Sequence, residues 1–326
     1  MPLTLSDRAQ LTSPLQIYTR DEARMLGIRL DAARWLRVRK GVYVDQKQYA
    51  ELPGWKRYAV RVHAFLRTHP DAILCLESAG VLHGIPQFGE CRFIHIYNPD
   101  AAKSQRYGDI RVHVSRYERQ TVRIGSTLVT TLLDTVVDLA RVMNPADALA
   151  VVDAALSPVQ GGALRARYLF ERGEELENSR GRARMRWVWE QADALSESPA
   201  ESISRAVILW SGYENPELQR EFHYENHLDR TDFYFPTNGT IGEADGWGKY
   251  SLGDPEEAAQ RLRDEKRRED RLRRHRHPFA RWDLSGAWKV TPLCEALNGA
   301  GVPRVRPPQP AMLATLKSRP RAKPWR

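Results

Sequence analysis

Cysteine is scarce in this chain: three in 326 residues, at Cys75, Cys91 and Cys294, with no CxxC pair and an odd number that no disulfide framework can use up. They read as reduced core thiols. No apolar run approaches the roughly 20 residues that a membrane-spanning helix needs, and the opening MPLTLSDRAQ lacks the basic start and apolar stretch of a signal peptide. The expectation is a cytoplasmic protein with no membrane partner. Solenoid-type repeats are also lacking, so the chain reads as successive unlike units. With 42% apolar, 9% aromatic and 28% charged residues, it has enough apolar surface for packed cores.

The net charge of +9 points to nucleic acid, but its location weakens the inference. Residues 303–326 carry seven Lys/Arg and no acid, which leaves +2 for the rest of the chain. That segment also holds six prolines, as expected of a mobile, extended basic arm, either holding phosphate loosely or only solubilising the end.

The first block begins with short helices. Thr19 caps a helix that Gly27 ends, a second short helix is expected from about Leu30, and Arg37 to Val44 alternates as a strand pair turned at Gly41. Six basic residues against the single acid Asp31 lie between Arg24 and Lys40, which suits a phosphate-facing surface at Arg34, Arg37, Arg39 and Lys40. YTRDEARMLG and WLRVRKGVYV, followed by CLESAGVLHGIP and TTLLDTVVDLAR, resemble the N-terminal winged helix and following segments of AbiEi-type antitoxins over roughly residues 15–160. The resemblance implies DNA binding and a cognate toxin protein as partner. Only 13 residues separate Gly27 from Gly41, leaving room for a recognition helix of barely two turns.

The middle block reads as strands near Arg92–Tyr97 and Ile110–Tyr117, then helices begun by a Thr131/Asp134 capping box and by Pro145. His83, His95 and His113 lack metal-ligand spacing and read as structural.

From Ser198 the order becomes one helix, three strands, one helix, one strand. Ser198-Pro-Ala-Glu201 is a helix start, and Leu218–Tyr224, Arg230–Phe235 and Thr240–Asp245 read as an antiparallel meander, with a turn at Asn226 to Asp229. Residues two apart on a strand share a face, so Glu243 and Asp245 point together; Asp232 falls across from or diagonal to Glu243, and Glu201 can complete the cluster. Crowded carboxylates imply a cation, and oxygen-only ligands favour Mg2+ or Mn2+. Glu201, Asp232 and Glu243-Ala-Asp245 in an αβββαβ order, with DFYFP and IGEADGWGKY, resemble the Vsr-like branch of PD-(D/E)XK endonucleases.

The PD-(D/E)XK resemblance implies a catalytic set of Glu201, Asp232, Glu243, Asp245 and Lys249, with Asp232, Glu243 and Asp245 on the metal. Asp245 stands where the motif has lysine, and Lys249 is a candidate to replace it or a solvated loop residue. The basic run from Lys266 to Arg276 offers Lys266, Arg267 and Arg271 to DNA; Lys266 either reaches toward the acids or pairs with Glu269. The expected architecture is α+β and multidomain: a winged helix over 1–60, an α/β region over 61–177, a PD-(D/E)XK-like core over 178–302 and a tail over 303–326. A Mg2+-dependent endonuclease competes with a non-catalytic DNA-binding regulator on a degenerate nuclease fold, and with an antitoxin whose middle block masks a toxin.

Overall fold

The computed structural model describes residues 3–176, 180–245, 255–317 and Arg321. The fold is mixed α+β with three sheets among the described residues. The first is small, in order β1-β3-β2: β1 (Tyr18–Thr19), β2 (Trp35–Arg39) and β3 (Val42–Asp45). Thr19 caps the helix Arg20–Met25 with a reciprocal bond to Glu22, as its sequence implies. The helix expected from Leu30 does not form. Asp31 accepts the backbone N–H groups of Ala33 and Arg34, a side-chain-closed turn that competes with helix, and Trp35 already begins β2. Val42 and Val44 then pack on Val60 and Ala64 of the helix Gly54–Leu66, so residue 60 lies inside a helix that joins the first unit to the second.

The second sheet runs β6-β7-β5-β4-β9-β8, from β4 (Ile73–Leu74), β5 (Ile94–Tyr97), β6 (Gln105–Tyr107), β7 (Ile110–His113), β8 (Thr121–Ile124) and β9 (Thr127–Thr130). Thr131 caps the helix Leu132–Val142, and the helix Pro145–Leu156 follows with every residue buried. Its alanines let neighbours approach on all sides, and it also buries two acids, Asp147 and Asp153. One neighbour is the helix Pro199–Trp210, tied to it by the Arg205–Asp153 ion pair at 2.7 Å. A single apolar core consequently extends from Val136 through Leu149 and Val207 to Phe233 and Trp282, spanning the expected boundary at 177/178.

The third sheet has the order β10-β11-β12-β13, from β10 (Glu217–Tyr224), β11 (His227–Phe235), β12 (Thr240–Asp245) and β13 (Phe279–Asp283). The first three are antiparallel. The hairpin between β10 and β11 turns on Glu225 and Asn226, both at positive φ, two residues tighter than the turn expected at Asn226 to Asp229. β13 lies parallel to β12 and needs a crossover, which the helix Pro255–Arg274 supplies.

The tail is not an extended arm through its described part. Arg304 bridges to Tyr213, Gln309 N–H bonds Trp210 O, and Leu316 is buried. Gly212 makes this docking possible: its φ is +86°, and a Cβ there would lie 2.2 Å from Arg306 O. Among the described residues no helix is long and apolar enough to cross a membrane.

Candidate functional site

The β11–β12 register pairs Phe233 with Gly242, so one step along places Asp232 opposite Glu243. Asp232 Oδ2 accepts the Ala244 N–H at 2.9 Å. Gly242 is needed here, since a Cβ would come within 2.9 Å of the Trp282 ring. Trp282 in turn donates its indole N–H to Ser204 Oγ at 2.8 Å, fixing the helix Pro199–Trp210 against the sheet. That anchoring carries Glu201, one turn earlier, to the sheet end that bears Asp232.

Glu201 is held from both sides. Ser198 Oγ accepts its N–H, and its Oε2 accepts the Glu197 N–H and Gln219 Nε2, each at 2.9 Å. Gln219 lies opposite Asp232 on β10 but adopts φ +51°, interrupting the ladder between the pairs Leu218–Phe233 and Arg220–Thr231. A non-glycine residue at positive φ costs energy, and here it aims an amide at a buried acid.

Burial, then the charge of Asp232, push the Glu201 carboxyl up to about 8. The same two causes push Glu243 up to about 8 against the opposing pull of Arg268. Arg268 Nη2 stands 2.9 Å from Glu243 Oε1 and 2.8 Å from Glu265 Oε1, and its Nη1 donates to Arg230 O. The nearness of these acids also raises the Arg268 guanidinium despite its burial. Its ion pair alone would favour charged Glu243, but burial and Asp232 oppose it more strongly, so the upward direction for Glu243 prevails. On β13, Arg281 pairs in register with Glu243, 2.8 Å from Glu265 and 3.8 Å from Asp245.

The structure thus brings Glu201, Asp232 and Glu243 together, with Asp245 two residues along β12 beside Arg281. It does not draw any three of their oxygens within 4.8 Å of one another: among the described residues that closeness belongs to Glu77, Cys91 and His95. The cause is visible in the ion pairs, with Glu243 turned to Arg268 and Asp245 to Arg281. Lys249 lies outside the described residues.

Sequence reasoning missed Arg268, Arg281 and Gln219. The helix phase was the available signal: Leu272 is fully buried, and Arg268 and Glu265 lie four and seven residues before it on the same face. Lys266 is exposed instead, and Glu269 pairs with Arg273 and Arg281, so the expected Lys266–Glu269 pair does not form. Arg267 is exposed beside Asp264, whereas Arg271 grips Asp229 with two bonds of 2.6 and 2.7 Å. In the first unit Arg37 and Lys40 are exposed, and Arg34 is exposed beside Asp45 and over the Trp35 ring. Arg39 turns inward over Phe65 and onto Asp109, fastening the hairpin to the middle unit.

The histidine reading also changes. His95 and His113 bond to each other at 2.8 Å, and His95 meets Cys91, four residues before it, and Glu77 from a separate helix. Burial lowers His95 to about 3, opposed by Glu77. Burial acts to raise Glu77, but Arg321 and His95 overcome it and hold the carboxyl at about 2.

No protein-family model matches the chain. Two Mycobacterium tuberculosis proteins are similar to it: Uncharacterized protein Rv2248 of strain H37Rv and Uncharacterized protein MT2308 of strain CDC 1551 / Oshkosh. Each is 30% identical over 203 residues, covering 62% of this chain and 70% of the relative. By this identity and coverage the chain belongs to the family of these two mycobacterial proteins.

Proposed function

We propose that this protein binds DNA and that its C-terminal unit is a PD-(D/E)XK-type phosphodiester hydrolase dependent on Mg2+ or Mn2+. The observation that carries the reading is the trio Glu201, Asp232 and Glu243, in which both glutamates are buried and held near 8 by that burial and by the aspartate. Such an arrangement is costly by itself and favours a cation. The order of helix Pro199–Trp210, β10, β11, β12, helix Pro255–Arg274 and β13, with β13 parallel to β12, agrees with an αβββαβ core.

An oxygen-only donor set fits a hard divalent cation. Asp232 and Glu243 would hold it, with Asp245 on the same face of β12. When bound, such an ion polarises a phosphoryl oxygen and activates water. Arg268 competes with the ion for Glu243; displaced from that acid, it stays beside the site on Glu265 and Arg230 O. Arg281 stands in register beside Glu243 and supplies positive charge where the motif's lysine is replaced by Asp245. Glu201, with its proton retained near neutrality, limits the repulsion on Asp232. At the other end of the chain, Arg34, Arg37 and Lys40 present a basic hairpin without the second helix expected directly before it. Phosphate contact, and not base reading in the major groove, is the role this surface supports. Association with a cognate toxin rests on the AbiEi-type resemblance.

A specific observation favours a second reading. Arg268 on Glu243 and Arg281 near Asp245 neutralise the acids internally, as in a non-catalytic DNA-binding regulator built on the same fold. Supercoiled plasmid incubated with the purified protein and Mg2+ or Mn2+ separates the two. Metal-dependent nicking that disappears in the Asp232→Ala, Glu243→Ala double variant supports the hydrolase. Equal DNA binding by both proteins in a mobility-shift assay, without nicking by either, supports the regulator.

A further inference from the structure

The middle unit holds a second cluster that the proposed hydrolase does not use. Glu77 lies at the start of the helix Leu76–His83, Cys91 precedes β5, and His95 lies within it. All three are more than nine-tenths buried. His95 Nε2 is 3.6 Å from Glu77 Oε2 and 3.7 Å from Cys91 Sγ, and one ligand atom from each residue lies within 4.8 Å of the others. Zinc bonded tetrahedrally to nitrogen, oxygen and sulfur at about 2.0–2.3 Å separates its ligand atoms by about 3.3–3.7 Å. The two His95 distances already match the edges of such a tetrahedron.

The surroundings prepare the histidine for this role. Its backbone N–H donates to Ser78 Oγ, which also bonds Tyr58 OH, so the strand is anchored behind the ring. Its Nδ1 is 2.8 Å from His113 Nε2, while Arg321 Nη2, which can only donate, faces Nε2 at 3.3 Å. Nε2 is therefore the acceptor, and Nδ1 carries the proton and donates it to His113. That is the tautomer a metal-bound imidazole needs, with its other nitrogen held by a hydrogen bond.

A cation already lies against the cluster. The guanidinium of Arg321 grips both oxygens of Glu77, and its backbone carbonyl accepts the Arg92 N–H at 2.7 Å. An arginine–carboxylate pair by itself would need only Glu77. It does not explain why a thiol and an imidazole lone pair converge on the same point.

We propose that Glu77, Cys91 and His95 form a binding site for a Zn2+-class divalent cation, and that Arg321 is a displaceable guanidinium plug in that site. The mixed carboxylate, imidazole and thiolate set selects a borderline-soft ion over Mg2+. Metal and Arg321 compete for Glu77 and His95, so occupancy by one releases the other, and with it the tail's hold on the middle unit. Three protein ligands leave the fourth position for solvent.

The test is Co2+ titration of the full-length, tag-free protein, followed by competition with Zn2+. In an Asp232→Asn, Glu243→Gln background, which removes the other proposed cation site, the expected result is one Co2+ per chain with tetrahedral visible bands and a thiolate-to-cobalt charge-transfer band. That band is lost in Cys91→Ser and kept in Cys75→Ser and Cys294→Ser, and the visible bands collapse in His95→Gln. Arg321→Ala, which leaves all three ligands in place, tightens Zn2+ binding about tenfold or more, because apparent affinity scales with the fraction of molecules whose site is open. Substoichiometric uptake, or a charge-transfer band that survives Cys91→Ser, overturns the site. Unchanged Zn2+ affinity in Arg321→Ala overturns the plug.

Discussion

The Glu201→Gln substitution gives the acid cluster a thermodynamic signature that does not depend on catalysis. In the folded protein the Glu201 carboxyl keeps its proton up to about 8, against an ordinary value of 4.5. Between those values the folded state binds a proton that the unfolded state has lost. Its contribution is therefore fully present below about 4.5 and fades as pH rises through 8. Each tenfold gain in proton affinity is worth about 1.4 kcal/mol, which puts the ceiling near 5 kcal/mol. Glu243 is raised partly by the same Asp232 charge, so the loss at this one acid is expected at about 2–5 kcal/mol. Glutamine keeps an acceptor for the Glu197 N–H and removes the charge. Urea midpoints in EDTA at pH 5 and pH 8 provide the assay. Wild type loses stability over this interval relative to Glu201→Gln, and Mg2+ at pH 8 narrows the gap. An offset between the two proteins that is the same at both pH values refutes the reasoning.

Other consequences follow from single contacts. Arg205→Ala strands the fully buried Asp153 carboxylate and is expected to destabilise the protein by about 3–5 kcal/mol in chemical denaturation; a loss well under about 1 kcal/mol contradicts the pairing. Gly212→Ala drives a Cβ into Arg306 O, costs more than about 1 kcal/mol, and opens the chain to trypsin at Arg304. Protection equal to wild type contradicts a docked tail. Arg37→Ala with Lys40→Ala lowers the salt dependence of DNA binding by about 2 in the log–log slope. An unchanged slope removes the basic hairpin from the interface.

Local chemistry was legible in the sequence where one short segment decides the outcome. Ser198-Pro-Ala-Glu201 caps its helix as read, Gly41 turns its hairpin at φ +76°, and Thr240–Asp245 forms β12 with the bounds its alternation implies. Asp232 could be placed across from or diagonal to Glu243 because strand period and turn length together limit the register. The failures share a different cause. Asp31 bonds its own neighbours and removes a helix that composition allowed. Arg268 and Lys266 are two residues apart in a uniformly basic run, and only the buried Leu272 tells which of them faces the sheet. Cys91 and His95 lie four residues apart, but Glu77 comes from the preceding helix and Arg321 from 226 positions beyond His95. The step from Cys91 to His95 was a local signal; the arrival of Glu77 and Arg321 had none. The tail's prolines suggested an extended arm, yet Leu316 and the close approach at Gly212 outweigh them.

Whether Asp232 and Glu243 form a divalent-cation site is tested most directly by Mn2+ binding at pH 8, followed as the loss of the free-ion electron paramagnetic resonance signal. Bound Mn2+ is expected in wild type and in Cys91→Ser, with loss of that binding in Asp232→Asn and in Glu243→Gln. Mn2+ that stays free in wild type, or that remains bound in both acid-cluster variants, contradicts the site.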